Sequence, residues 1–137
     1  MFKTLIVGHG KYPSGVLSAL KLLMGENENV SIIELNEQLT HDQYEIKITE
    51  FLKENDKVVI FADLTGGAPH QIAARIILEK QFSKEHFVIS GMPLSLITDL
   101  TMKFQFLNVE AEEIPATIES SINECKELMQ CISLEMV

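Results

Sequence analysis

Two short stretches of this chain combine side chains that do chemistry with residues that make room for it. The first is Gly8-His9-Gly10-Lys11-Tyr12-Pro13-Ser14-Gly15, which sets an imidazole between two glycines. Glycine neighbours leave a side chain open to close approach by a partner. The second is Asp63-Leu64-Thr65-Gly66-Gly67-Ala68-Pro69. A carboxylate that accepts a hydrogen bond from imidazole Nδ1–H fixes the tautomer and leaves the Nε2 lone pair free, as nucleophile or general base. The Gly66-Gly67 pair runs into a helix start marked by Pro69, and backbone N–H groups there form a nest that binds an anion without a side-chain cation. Histidine, carboxylate and anion nest together point to phosphoryl transfer through a phosphohistidine. On this reading His9 and Asp63 are catalytic, Thr65, Gly66, Gly67 and Ala68 contact phosphate, and neither metal nor cofactor is called for.

Several of these residues have a plainer reading beside the chemical one. Asp63 is alternatively a turn or helix-capping carboxylate, because Asp favours such loops. Thr65 is alternatively a turn hydroxyl. His70, next after Pro69, reads as an exposed first-turn residue at the rim of the site, and Lys11 as a solvated loop lysine. Arg75, the only arginine, lies about two turns into the same helix and is read as a packing or subunit-interface residue. His41 and His86 have no partner motif and are read as ordinary surface or core histidines. Cys125 and Cys131, six residues apart, match no C-x-x-C pattern and are read as buried free thiols.

His9 and Asp63 are 54 positions apart, so only the fold can bring them together. Short β-branched runs at Thr4–Gly8, Val30–Leu35, Val58–Ala62 and Phe87–Ser90 read as buried strands. Helical periodicity fills the intervals. Val16, Leu20, Leu23 and Met24 form one stripe, stopped by Gly25. Thr40-His41-Asp42-Gln43 is a capping-box pattern ahead of Tyr44, Ile48, Phe51 and Leu52. Pro69 begins a third helix that buries Ile72, Ala73, Ile76 and Ile77. Pro93 starts a short fourth through Leu100, and Pro115 opens a fifth with Ile114, Ile118, Ile122, Cys125 and Met129 on one side. The tail Cys131–Val137 alternates as a last strand would. Strand–helix alternation with right-handed crossovers implies an α/β, doubly wound, mainly parallel sheet of flavodoxin-like order 2-1-3-4. In that order strands one and three are neighbours at the switch point, and His9 meets Asp63.

Composition narrows the partners. The 137 residues fit a single domain spanning 1–137, and 46% hydrophobic content is that of a globular chain. The net charge of −9 argues against nucleic acid. Seven acids and one base lie from Glu110 onward, so the first 109 residues are nearly balanced. No apolar run approaches the roughly 18 residues of a membrane span. The apolar start is too short for a signal peptide, and a cytoplasmic location is expected. Nucleotide binding of the G-x-x-x-x-G-K-[ST] kind and a G-x-S-x-G nucleophile elbow are unsupported, because neither pattern is present. A receiver domain needs an acidic pair after strand one, where this chain has His9.

The pattern Gly8-His9-Gly10-x-Tyr12-Pro13-x-Gly15-Val16, followed by Asp63-x-x-Gly66-Gly67-Ala68-Pro69, resembles the IIA component of the mannose family of the bacterial sugar phosphotransferase system. Phe87-Val88-Ile89-Ser90-Gly91-Met92-Pro93-Leu94 is similar to that family's third segment. The resemblance implies a homodimer that exchanges its C-terminal strand. It implies that His9 accepts phosphoryl at Nε2 from the phosphocarrier HPr and passes it to a IIB component, with the membrane reached only through IIC and IID subunits. It gives Asp63 the ring-orienting role and Gly66–Ala68 the phosphate cradle. The chain departs from the family where Ala68 replaces a frequent Ser, and where Ser-Gly-Met-Pro lacks the usual Asn. Two rival functions share the motifs: a phosphotransfer subunit feeding dihydroxyacetone kinase, and a regulatory module that keeps the His–Asp pair as a sensor.

Overall fold

The computed structural model describes residues 1–136. Its elements run β1 (Lys3–His9), α1 (Tyr12–Met24), β2 (Val30–Leu35), α2 (His41–Glu54), β3 (Val58–Ala62), α3 (Ala68–Lys80), β4 (His86–Ser90), α4 (Leu94–Phe106) and α5 (Ile114–Lys126). The four strands form one parallel sheet in the order β2-β1-β3-β4. Each crossover is a helix, so both faces are covered.

Period-two alternation divides the core. On β3, Val59 and Phe61 point to the face shared with Leu20, Leu96, Ile97, Leu100, Ile114 and Ile118 of α1, α4 and α5. Val58, Ile60 and Ala62 point to the other, where Tyr44, Ile48 and Leu52 of α2 meet Ala73 and Ile76 of α3. Every β3 residue is buried, as expected of a central parallel strand. Helix α2 starts where the capping pattern places it, with the Thr40 N–H donating to Gln43 Oε1 at 3.1 Å.

The differences from the sequence reading have local causes. Helix α4 is longer than expected because nothing between Leu100 and Phe106 breaks it, and Thr101 continues its buried face. Leu23 is exposed rather than part of the α1 stripe. Helix α5 stops at Lys126, so Met129 falls outside it and is exposed. His86 lies inside β4, buried, with its Nε2 hydrogen-bonded to the Asn55 carbonyl, so it is a core histidine. Cys125 is buried, but Cys131 is exposed and does not fit the buried-thiol reading. The tail is not a strand here. Leu134–Met136 is a single 3₁₀ turn, Ile132, Leu134 and Met136 are exposed, and Val137 lies outside the described residues. Alternating apolar residues specify a strand only where a sheet edge accepts them.

Candidate functional site

The register places the site. Val7 of β1 pairs with Ala62 of β3, and the Asp63 N–H then donates to the Val7 carbonyl at 3.2 Å. His9 is the last residue of β1, and the Gly10 N–H donates to Leu35 at the end of β2. Both loops thus leave the carboxyl edge of adjacent strands at the point where the strand order reverses.

Asp63 Oδ2 accepts two hydrogen bonds from His9, one from the main-chain N–H at 2.8 Å and one from ring Nδ1 at 2.9 Å. An ionised carboxylate only accepts, so the proton of this pair sits on Nδ1 and Nε2 carries the lone pair. Half of the His9 side chain is exposed, whereas Asp63 keeps only 10% of its side-chain surface. The carboxylate is therefore largely buried and the imidazole is open to solvent. Asp63 Oδ1 is buried with no hydrogen-bond partner among the described residues, which leaves His9 as the carboxylate's main partner. Beneath the site, Tyr44 is fully buried and donates its hydroxyl to the Pro69 carbonyl at 2.8 Å. Burial, and then the negative charge of Asp63, hold the phenol well above its ordinary pKa, so it remains a neutral donor.

Two glycines are fixed by close approach. A Cβ at Gly8 would lie 2.9 Å from Asp63 Cγ and Oδ2, and one at Gly67 would lie 3.1 Å from His9 Cε1. The imidazole therefore lies against the glycine turn, with Nε2 bonded to that same Cε1.

The turn spends its donors differently from the sequence expectation. The Gly66 N–H donates to His70 Nδ1 at 3.0 Å, and the Gly67 N–H donates to the Leu64 carbonyl at 3.0 Å. Of the Gly66, Gly67 and Ala68 amides expected to form a cradle, only that of Ala68 is without a partner among the described residues. Thr65 donates its hydroxyl to Ser90 Oγ at 2.7 Å, tying the turn to the end of β4. The α3 N-terminus adds little to this, since Pro69 has no N–H and the Gln71 N–H is bonded to the Gly67 carbonyl at 2.9 Å, which leaves the His70 N–H beside that of Ala68.

Other residues act away from the site. Arg75 bridges Glu45 of α2 at 2.6 Å and Glu79 at 3.5 Å, and these bonds, that to Glu45 foremost, raise its pKa. It ties α2 to α3 rather than facing His9. Lys11 is exposed at the start of α1. Glu34 had no role in the sequence reading, yet its carboxylate accepts from both the N–H (2.9 Å) and the hydroxyl of Ser14, fixing the start of α1 behind the His9 loop. A strand-end glutamate carries no local pattern that announces such a contact. Nor does Ser90, at the end of the fourth strand, carry a local pattern that announces its contact with Thr65.

A doubly wound α/β fold with a carboxylate-oriented histidine at its switch point defines the class. The model of the family "PTS system fructose IIA component" matches residues 3–119, and the chain belongs to that family. The mannose-specific EIIAB component of Escherichia coli strain K12 is 28% identical over 104 residues, covering 72% of this chain. The chain spans only 31% of that relative's length. The crystal structure of phosphotransferase system component EIIA from Streptococcus agalactiae has the same fold, with a TM-score of 0.81, 21% identity and full coverage of both chains. The mannose/sorbose-specific IIA subunit from Enterococcus faecalis superposes with a TM-score of 0.72 at 20% identity, covering 96% of this chain and 95% of that one. No helix among the described residues is long and apolar enough to cross a membrane.

Proposed function

We propose that this chain is a phosphocarrier of a sugar phosphotransferase system, in which His9 Nε2 accepts a phosphoryl group from phospho-HPr and hands it to a IIB component. The observation that carries the reading is the pairing of His9 Nδ1 with the buried Asp63 Oδ2, which leaves Nε2 as the basic, exposed nitrogen. Membership of the IIA family supports the same assignment.

The step is an in-line exchange between two imidazoles. The Nε2 lone pair of His9 forms a bond to phosphorus while the donor's P–N bond breaks, and that electron pair returns to the donor ring. The Nδ1 proton stays where it is, so the phosphorylated ring carries positive charge, which the Asp63 carboxylate balances. Positioning and electrostatics supply the catalysis, as in phosphoryl transfer generally. On this reading the free amide of Ala68 and the positive end of α3 stabilise the equatorial oxygens.

Exposed apolar residues in the tail, including Leu128, Met129, Ile132 and Leu134, support the further reading that the tail completes its pairing in a homodimer.

Incubation with enzyme I, HPr and labelled phosphoenolpyruvate is expected to load one acid-labile phosphate per chain. His9→Ala abolishes the uptake on this reading. Normal labelling of that variant would overturn it.

A further inference from the structure

Gly66 is held at both of its main-chain polar groups by side chains from the first turn of α3. Its N–H donates to His70 Nδ1 at 3.0 Å, and its carbonyl accepts from Gln71 Nε2 at 2.6 Å. The residue has φ of +84°, a conformation that side-chain-bearing residues rarely adopt and that two such anchors stabilise. Gly67, the next residue, is the one against which the His9 ring packs. The place of His70 right after Pro69 predicts an exposed first-turn residue at the rim of the site. In the fold it is half-buried and turned back onto the loop.

From this geometry we infer that His70 is a positioning residue for the reaction at His9: with Gln71 it clamps Gly66 and so holds the Gly67 face in register with the imidazole. The inference rests on the phosphocarrier reading for its kinetic consequence, but not for the clamp itself. A backbone N–H can only donate, so His70 Nδ1 is unprotonated and its ring proton is on Nε2. The two histidines of the site hold opposite tautomers. His9 presents a free Nε2 to a partner, whereas His70 spends its Nδ1 lone pair on the loop. Loss of the clamp lets the turn move away from the ring, and a displacement of about 1 Å is enough to slow transfer by one or two orders of magnitude.

Two variants separate this role from bulk packing. His70→Phe keeps a ring of similar size but removes the acceptor. His70→Asn restores an acceptor oxygen close to the Nδ1 position. In the ¹⁵N-labelled 137-residue chain, a coupling across the hydrogen bond between the Gly66 amide and His70 Nδ1 is expected. The Phe variant should take phosphate from phospho-HPr about tenfold more slowly. The Asn variant should recover most of that rate. Wild-type or faster transfer by folded His70→Phe would overturn the proposal, as would a ¹⁵N shift showing His70 Nδ1 protonated. Should wild-type protein take no label at all, the phosphocarrier reading falls. The clamp is then judged on the Gly66–His70 coupling, and its absence refutes it.

Discussion

Gly8→Ala tests whether the fit of Asp63 over the β1 backbone sets the orientation of His9. The added Cβ would stand 2.9 Å from both Asp63 Cγ and Oδ2 and 3.1 Å from Asp63 Cβ. Comfortable carbon contacts begin near 3.5 Å, so the overlap is about 0.6 Å. Strand β1 cannot yield, because it is paired on both sides and Val7 beside Gly8 is fully buried. The carboxylate must therefore move. Withdrawal by about 0.6 Å takes the His9 contacts from 2.8 and 2.9 Å to the outer limit of a hydrogen bond. Overpacking of this kind costs about 1–3 kcal/mol of stability, readable as a lower urea midpoint at unchanged slope. A misaligned acceptor ring should slow phosphoryl uptake by about 10- to 100-fold. Gly15→Ala in the same loop motif is the control. A Cβ there meets nothing within 4 Å, and alanine within a helix favours folding, so uptake should be normal. If Gly8→Ala took up phosphate at the wild-type rate with an unshifted His9 Nδ1 resonance, the orienting argument would fail.

Two further perturbations probe charge rather than fit. Asp63→Asn keeps the shape and can still accept from His9, but it provides no charge to balance the phosphorylated ring. It also buries an NH₂ where Asp63 Oδ1 has no partner. A unit charge pair at 4 Å is worth about 4 kcal/mol at an effective dielectric of 20, and exposure of His9 reduces this to about half, so labelling should slow by roughly 30-fold. Wild-type kinetics would return Asp63 to a turn-capping role. Arg75→Met should label at the wild-type rate and shift Tm by no more than about 3 °C, because its partners Glu45 and Glu79 form an exposed network. A large loss of uptake would place Arg75 in the transfer machinery.

Much of the arrangement was legible from residue types because each element had its own local cause. Strand β3 is a continuous apolar run, and all five of its residues are buried in the centre of the sheet. The order β2-β1-β3-β4 follows from right-handed crossovers, and with it comes the meeting of His9 and Asp63. The site's finer bonds were not legible, because they join residues by approach rather than pattern. Glu34 reaches Ser14 across two elements, and Thr65 reaches Ser90 across 25 positions. His70 looked exposed because an isolated first-turn residue ordinarily points to solvent. It turns inward because the Gly66 amide, in a left-handed conformation, faces it. The tail misled for another reason. Its alternation is genuine, but among the described residues it pairs with no strand, and Leu134–Met136 form a 3₁₀ turn.

The distribution of donors has a consequence for how such a site handles phosphate. The only arginine is bound to two glutamates, and two of the three glycine-turn amides are bound within the turn. Under the phosphocarrier reading, the dianionic group then meets few strong donors: the Ala68 amide, the α3 terminus and the charge acquired by His9 itself. A tight cradle would hold the phosphoryl group on His9 and oppose its onward transfer. A carrier works best when donor, carrier and acceptor hold the group with similar affinity, since binding that stabilises the loaded state more than the transition state slows the second step. Ala68 fits this logic, because a hydroxyl at that position would add a contact in the loaded state. Under that reading the turn aligns the ring through its internal bonds and grips the phosphate only lightly.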